Sequence, residues 1–217
     1  MHVSELISHK LMSPRPISRR RWLGGAASLA ALAAADITGC ATPPPQNRFP
    51  ELTYAHLGKI RLDVSQISIV TEYKSPFAPP NIEQDMPVLP EKAMRRWAAD
   101  RLVATGTPGH TAQFVITDAK VIDTKLAKTP GLRGVFTTDQ SDRYDTSFAA
   151  RIVVQPDPGN FGHAQATASA TRAQTVPEGI TVNEREKVWF DLVEATMNDL
   201  NAELERQIRE HMGLFLR

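Results

Sequence analysis

Four histidines after residue 40 are the first candidates for metal chemistry, since imidazole is a common ligand of zinc. No two of them have the spacing of a ligand pair, and no cysteine is free to complete such a set. We therefore expect no metal site and place these side chains at the surface or in loops. The four are His56, His110, His163 and His211.

Nucleophilic and phosphate-binding motifs are also missing from the sequence. No Gly-x-Ser-x-Gly element frames a serine as a nucleophile. Gly159-x-x-Gly162 follows a predicted strand and precedes another, so no helix N-terminus would meet a phosphate there. We expect no catalytic residue and no cofactor, and therefore no enzyme.

Three carboxylates, Asp139, Asp142 and Asp145, lie close together in the sequence beside Arg143. A calcium loop would require alternating oxygen ligands that end in a glutamate, and this segment does not have them. Paired acids of a glycosidase flank a cleft, and the sequence of one loop does not show such a cleft. The segment is interpreted as the solvated entrance to a strand.

The first 39 residues have the pattern of an export signal. Arg19 and Arg20 lie in Ser18-Arg-Arg-Arg-Trp-Leu23, and a weakly hydrophobic stretch rich in alanine and glycine follows at 24–35. The paired arginines resemble a twin-arginine export signal, with Trp22 where phenylalanine is commoner and no lysine after Leu23. A general secretory signal is the alternative. An N-terminal amphipathic or core helix is disfavoured by the triple arginine and by Asp36, which resist burial.

Ile37-Thr38-Gly39-Cys40 ends that segment and resembles the bacterial lipobox, with isoleucine in place of leucine. The small residues give a peptidase access to the bond, and the thiol is the nucleophile for lipid attachment. The resemblance implies that Cys40, the only cysteine, is lipidated. Acyl chains at ~0.8 kcal/mol per buried CH₂ hold a protein on a membrane without a spanning helix. Residue 41 is Ala rather than Asp, which implies the periplasmic face of the outer membrane of a Gram-negative bacterium.

The charge balance excludes an obvious polyanion-binding surface. The chain has 25 Lys and Arg against 24 Asp and Glu, a formal charge of +1. Removal of residues 1–39 takes away five basic and two acidic residues, which leaves 20 against 22 and a charge of −2. We therefore expect no nucleic-acid partner and no basic stripe for lipid phosphates.

Residues 40–56 are predicted to be a tether that begins at the lipidated cysteine, because 41–47 are rich in proline. A single domain is expected at 57–217. Its first half should contain a strand over 60–73 with a bulge or bend near Ser65 and Gln66, where the alternation of apolar residues slips. A proline-rich loop at 75–90 and a helix at 91–105 follow, with Asp100 and Arg101 off its apolar face.

The second half of the domain shows clearer periodicity. Strands are predicted at 111–124, with a second slip near Asp118, and at 144–154, separated by a loop at 125–140. The alternating alanines of 164–171 favour a strand whose small face lies under a helix, and a helix is the alternative. Thr181 and Glu184 form a capping box before a helix at 182–213, whose last turns should overhang the sheet.

This order, β-α-β-β-β-α, predicts an α+β fold in two layers, with two helices on one face of a four-stranded mixed sheet. The layout is similar to that of the lipopolysaccharide-assembly lipoprotein and of the auxiliary lipoproteins of ABC-type lipid transporters. The resemblance covers roughly residues 40–213, and no binding residue is carried over from those families.

Two functional hypotheses follow from the sequence. The first is a non-enzymatic accessory protein, held on the membrane by its lipid anchor, which docks on an outer-membrane protein or a transporter complex. Its partner surface is expected at the loop 75–90 and at the end of the long helix, with Met212, Leu214 and Phe215. The alternative is a periplasmic small-ligand binder or an enzyme of unknown class, which a twin-arginine route would favour.

Overall fold

A computed structural model describes residues 49–127 and 140–217 of the chain, which belong to one compact unit. The described part contains two α-helices, six β-strands and two short 3₁₀ turns. The helices are α1 (Pro90–Arg101) and α2 (Val182–His211), and the strands are β1 (Ile60–Leu62), β2 (Ile67–Thr71), β3 (Leu102–Ala104), β4 (His110–Lys125), β5 (Gln140–Pro156) and β6 (Ala164–Pro177).

The main sheet has four strands in the order β2-β4-β5-β6. β2 runs parallel to β4, and β4, β5 and β6 form an antiparallel meander. The register between β4 and β5 shifts between Ile116 and Asp118, which is the second slip that the sequence indicates. The predicted α+β class, with two helices and a four-stranded mixed sheet, is confirmed.

One face of this sheet is the core face. Alternate residues of β5 from Tyr144 to Val154 are buried, as the period of two predicts. The alternate alanines of β6 from Ala164 to Ala170 are also buried, with at most 9% of each residue exposed, and α2 lies along this strand. The strand interpretation of 164–171 is therefore correct. α1 reaches the same face through Trp97, whose ring lies 5.5 Å from that of Phe114.

The first predicted strand is divided between two sheets, and of the predicted bulge or bend near Ser65 the structure has the bend, at residues 63–65. β1 pairs in parallel with β3 in a separate two-stranded sheet, whereas β2 joins the main sheet. The alternation slips because the chain passes from one sheet to the other. Residues 102–104 are a strand rather than the end of the helix, since Leu102 is extended and pairs with Ile60.

The domain begins before the boundary predicted at 57. Leu52 and Tyr54 are buried, and the ring of Phe49 stacks on that of Phe190 at 5.1 Å. The carboxylate of Asp100 accepts hydrogen bonds from the backbone N–H of Tyr54 at 2.8 Å and from the hydroxyl of Thr53 at 3.0 Å. This segment therefore buries Asp100, which the helical wheel placed off the apolar face.

The predicted capping box at the start of α2 is present, with Thr181 accepting from the backbone N–H of Glu184. The expected overhang at the other end is wrong, because Ile208 is buried in the core cluster. α1 lies beside these last turns, and the indole N–H of Trp97 donates to Oδ1 of Asn201 at 2.7 Å. The first part of α2 therefore packs on the main sheet, and its last turns lie near the small sheet of β1 and β3.

No helix within 49–127 or 140–217 combines the length and the apolar character needed to cross a membrane. The predicted loop at 125–140 falls largely on residues 128–139, outside the described residues, and so does Asp139.

The contact between α2 and β6 predicts a face-specific response to added volume. Ala166→Leu should lower the free energy of unfolding by about 1–3 kcal/mol, because the alanine is fully buried and a larger side chain must push the helix away. Thr167→Leu, one residue along on the exposed face, is the matched control and should change it by less than about 0.5 kcal/mol. Urea denaturation measures both. Equal effects at the two positions would contradict this packing.

Candidate docking surface

The chain reverses direction after α2 through a 3₁₀ turn, Gly213–Phe215. The backbone N–H of Phe215 donates to the carbonyl of Met212 at 2.8 Å, which closes the turn. Leu216 then pairs with Leu62 in an antiparallel bridge, and the carbonyl of Phe215 accepts from the N–H of Asp63 at 2.8 Å. The residues after α2 are thereby held against β1.

This turn separates the three residues predicted as a partner surface. Met212 is fully buried and belongs to the core cluster, so it does not lie on the surface. Leu214, at the tip of the turn, is 90% exposed. Phe215 is half-buried, and its ring meets that of His110 edge-on at 5.0 Å. The residues free to meet a partner are therefore Leu214 and part of Phe215.

The turn between β5 and β6 adds an exposed aromatic residue near Phe215. Phe161 is 92% exposed, and its carbonyl accepts a hydrogen bond from Nε2 of His110 at 3.0 Å, so this nitrogen carries the proton. Gly162 has a φ of +96°, a conformation that favours glycine and turns the chain towards His110. We call Phe161, Leu214 and Phe215 the terminal patch. Our sequence analysis overlooked Phe161, although a phenylalanine in a glycine-flanked turn is an unusual exposed apolar residue.

The proline-rich loop 75–90 forms a second apolar surface. Phe77 is 75% exposed at a φ of +51°, and Leu89 is 46% exposed. The loop is held by the buried carboxylate of Glu83, which accepts hydrogen bonds from the hydroxyls of Tyr73 at 2.5 Å and Ser75 at 2.6 Å. Burial acts to raise the pKa of the Glu83 carboxyl, but the hydrogen bonds from Ser75 and Tyr73 outweigh it, so this pKa lies below its usual value.

The acidic residues at the start of β5 form local ion pairs. Asp142 is buried, pairs with Lys125 and accepts from the hydroxyl of Ser141 at 2.6 Å. Asp145 pairs with Arg143 at 2.8 Å. The strand entrance that we expected to be solvated is therefore partly buried. The two carboxylates form ion pairs within the sheet and do not converge on one site.

The remaining candidates are placed as follows. Within 49–127 and 140–217, no group of three His, Cys, Asp or Glu residues is arranged to hold a metal ion. His56, His163 and His211 are exposed. The predicted lipidation site Cys40 and the export arginines Arg19 and Arg20 lie outside the described residues. Contact through exposed apolar side chains is thus the chemistry that the terminal patch offers.

Comparison with known proteins found no matching family model and no matching curated protein. Among solved structures, the chain is similar to rare lipoprotein B from Shewanella oneidensis, with 14% identity, coverage of 66% of this chain and 97% of that chain, and a TM-score of 0.32. It is also similar to a Xanthomonas campestris protein of the DUF330 family, with 7% identity, coverage of 74% and 92%, and a TM-score of 0.29. These TM-scores are too low to assign the chain to either family.

Two neighbouring substitutions distinguish core from surface at the end of α2. Met212→Ala should lower the free energy of unfolding by about 2–5 kcal/mol, because it leaves a cavity in the core. Leu214→Ala should change it by less than about 0.5 kcal/mol, because this side chain is exposed. Urea denaturation of the two variants checks the assignment, and a large loss at Leu214 would contradict it.

The lowered pKa of the buried Glu83 carboxyl predicts that its contribution to the stability of the domain depends on pH. Glu83→Gln should destabilise the domain by about 1–3 kcal/mol near neutral pH, since a charged acceptor of several hydrogen bonds is lost. A carboxyl whose pKa is lowered by folding contributes stability above its unfolded pKa, about 4.3, and loses it as the pH falls through the folded pKa. The difference between parent and variant should therefore shrink on acidification, as measured by urea denaturation across that range. Glu194→Gln, at an exposed position of α2, is the control and should show no such difference.

Proposed function

We propose that this protein is a lipid-anchored envelope lipoprotein that acts without catalysis, as an accessory subunit docked on a membrane protein. The observation that carries the proposal is the position of the only cysteine, Cys40, directly after Ile37-Thr38-Gly39 and an export-type segment. A thiol at that point meets the requirement for lipid attachment, and acyl chains supply a durable anchor.

The proposed location is the periplasmic face of the outer membrane. Ala41 supports it, because an aspartate after the lipidated cysteine is the residue that often retains such proteins at the inner membrane. The proline-rich residues 41–47 support a spacer between the anchor and the folded domain, which in our proposal begins before Leu52.

The proposed partner is an outer-membrane protein or a component of a transporter complex, and the terminal patch is the proposed contact. Phe161 and Leu214 are each at least 90% exposed, although both are apolar and lie near the same His110–Phe215 contact. Exposed apolar residues grouped in this way are typical of protein interaction sites. The loop with Phe77 is the competing surface on the same domain.

Site-specific photo-crosslinking in native membranes tests this proposal. A photoreactive residue at Leu214 should give one discrete adduct, identified by mass spectrometry as an integral membrane protein. The same residue at Thr167, on the exposed face of β6, is the matched control and should give none. Phe161→Asp should weaken the Leu214 adduct, and Cys40→Ala should abolish it because the protein leaves the membrane.

Two outcomes would contradict the proposal. A native protein that is wholly soluble would exclude the lipid anchor and the localisation derived from it. A membrane-bound protein without an adduct at Leu214 would exclude docking through the terminal patch. An adduct formed instead by a third photoreactive variant, at Phe77, would assign the contact to the proline-rich loop.

A further inference from the structure

A groove of about 480 Å³ lies between β1, the end of α1 and the last turns of α2. Its volume is within the range of small-molecule sites, roughly 300–1,000 Å³. Five of its eleven lining residues are cationic and one is acidic. The cationic residues are Lys59, Arg61, Arg101, Arg209 and Arg217, and the acidic one is Glu205. We call this set the cationic groove.

The acidic residues around the groove do not balance its charge. Glu205 serves two guanidinium groups, because one carboxylate oxygen pairs with Arg101 and the other with Arg209 at 2.6 Å. The carboxylate of Asp63 forms an ion pair with Arg217 and therefore neutralises that guanidinium alone. Lys59 donates to the carbonyl of Asp100, which is a neutral acceptor. Among the described residues, Arg61 has no carboxylate within salt-bridge distance, and its side chain is exposed.

Arg101 is the buried member of the groove. The residue is 3% exposed, and its guanidinium donates to the carbonyl of Gly58 and to Glu205. Its Nε is buried and has no hydrogen-bond acceptor in the described part of the chain. Burial and, to a lesser extent, the nearby Arg209 lower the pKa of Arg101, while Glu205 opposes them. An anionic oxygen in the groove would relieve this excess of positive charge.

We propose that the cationic groove binds a phosphate group. Lysine and arginine side chains are the usual ligands of phosphate oxygens, and a guanidinium can donate two hydrogen bonds to one phosphate. The phosphate belongs either to the headgroup of an anionic phospholipid or to a soluble phosphate ester. This inference goes beyond the docking function and does not depend on it, because none of the residues that line the groove belongs to the terminal patch.

The position of the groove next to an exposed apolar residue supports the headgroup of a lipid as the source of the phosphate. Leu214, which is 90% exposed, lies two residues before Leu216, a lining residue of the groove. An apolar side chain beside a cationic groove is the arrangement that peripheral proteins use at anionic membranes. A phosphate held in the groove would place Leu214 near the lipid surface.

The test uses the full chain with Cys40→Ala, which removes the only acylation site, as the parent protein. Its binding is measured to vesicles of phosphatidylcholine with 30% phosphatidylglycerol, to vesicles of phosphatidylcholine alone, and to inorganic phosphate and glycerol phosphate by calorimetry. In that background, Lys59→Gln with Arg61→Gln removes two charges from the groove. Lys74→Gln with Lys92→Gln removes two charges from exposed positions outside it and is the matched control.

The groove variant should bind its ligand roughly tenfold more weakly than the parent, and the control should bind as the parent does. If this difference occurs with the anionic vesicles, the ligand is a lipid headgroup; if it occurs with the soluble phosphates alone, the ligand is a phosphate ester. Equal binding by the groove variant and the control to every probe would overturn the proposal. Thermal unfolding of all variants ensures that a loss of binding is not a loss of folding.

Discussion

The alanines of β6 let α2 lie directly on the sheet, and the position of the whole helix depends on this contact. Alanine favours strands poorly, yet the buried positions from Ala164 to Ala170 all carry it. The packing requirement therefore overrides the intrinsic preference at these positions. Apolar residues of α2 from Phe190 to Ile208 fill the space between the helix and the sheet.

Polar contacts then fix how α1 lies against α2. Asn201 accepts from the indole of Trp97 and donates to Glu205 at 3.3 Å, and Glu205 in turn pairs with Arg101 of α1. A further contact joins α2 to the main sheet, where the hydroxyls of Thr146 and Thr196 lie 2.8 Å apart in the core. Buried and half-buried polar groups of this kind are costly unless they are paired, so they restrict the helices to one arrangement.

The end of α2 brings together the two surfaces from which we infer function. Met212 anchors the chain in the core, and the following turn presents Leu214 and returns Leu216 to β1. The terminal patch and the cationic groove are therefore both built around this turn. Docking on a membrane protein and binding of a phosphate group would use neighbouring parts of one end of the domain.

Local features were predictable from the sequence because their signals repeat over short distances. The alternation along β4 and β5, the slip at Asp118, the alanine strand and the capping box at Thr181 each depend on residues close in sequence. The export-type segment and the lipidation of Cys40 also rest on a short linear motif, and they stay predictions because they lie outside the described residues.

Features that depend on distant segments were decided only by the tertiary structure. Residues 60–73 divide between two sheets because β1 finds β3 and β2 finds β4. Arg101 and Asp100 are buried because α2 and the segment before β1 cover them. A helical wheel of α1 gives no information about these two distant segments. The total charge after residue 39 is close to zero, and yet folding brings Lys59, Arg61, Arg101, Arg209 and Arg217 to one groove. Composition counts charges, whereas a binding surface depends on which of them the fold places side by side.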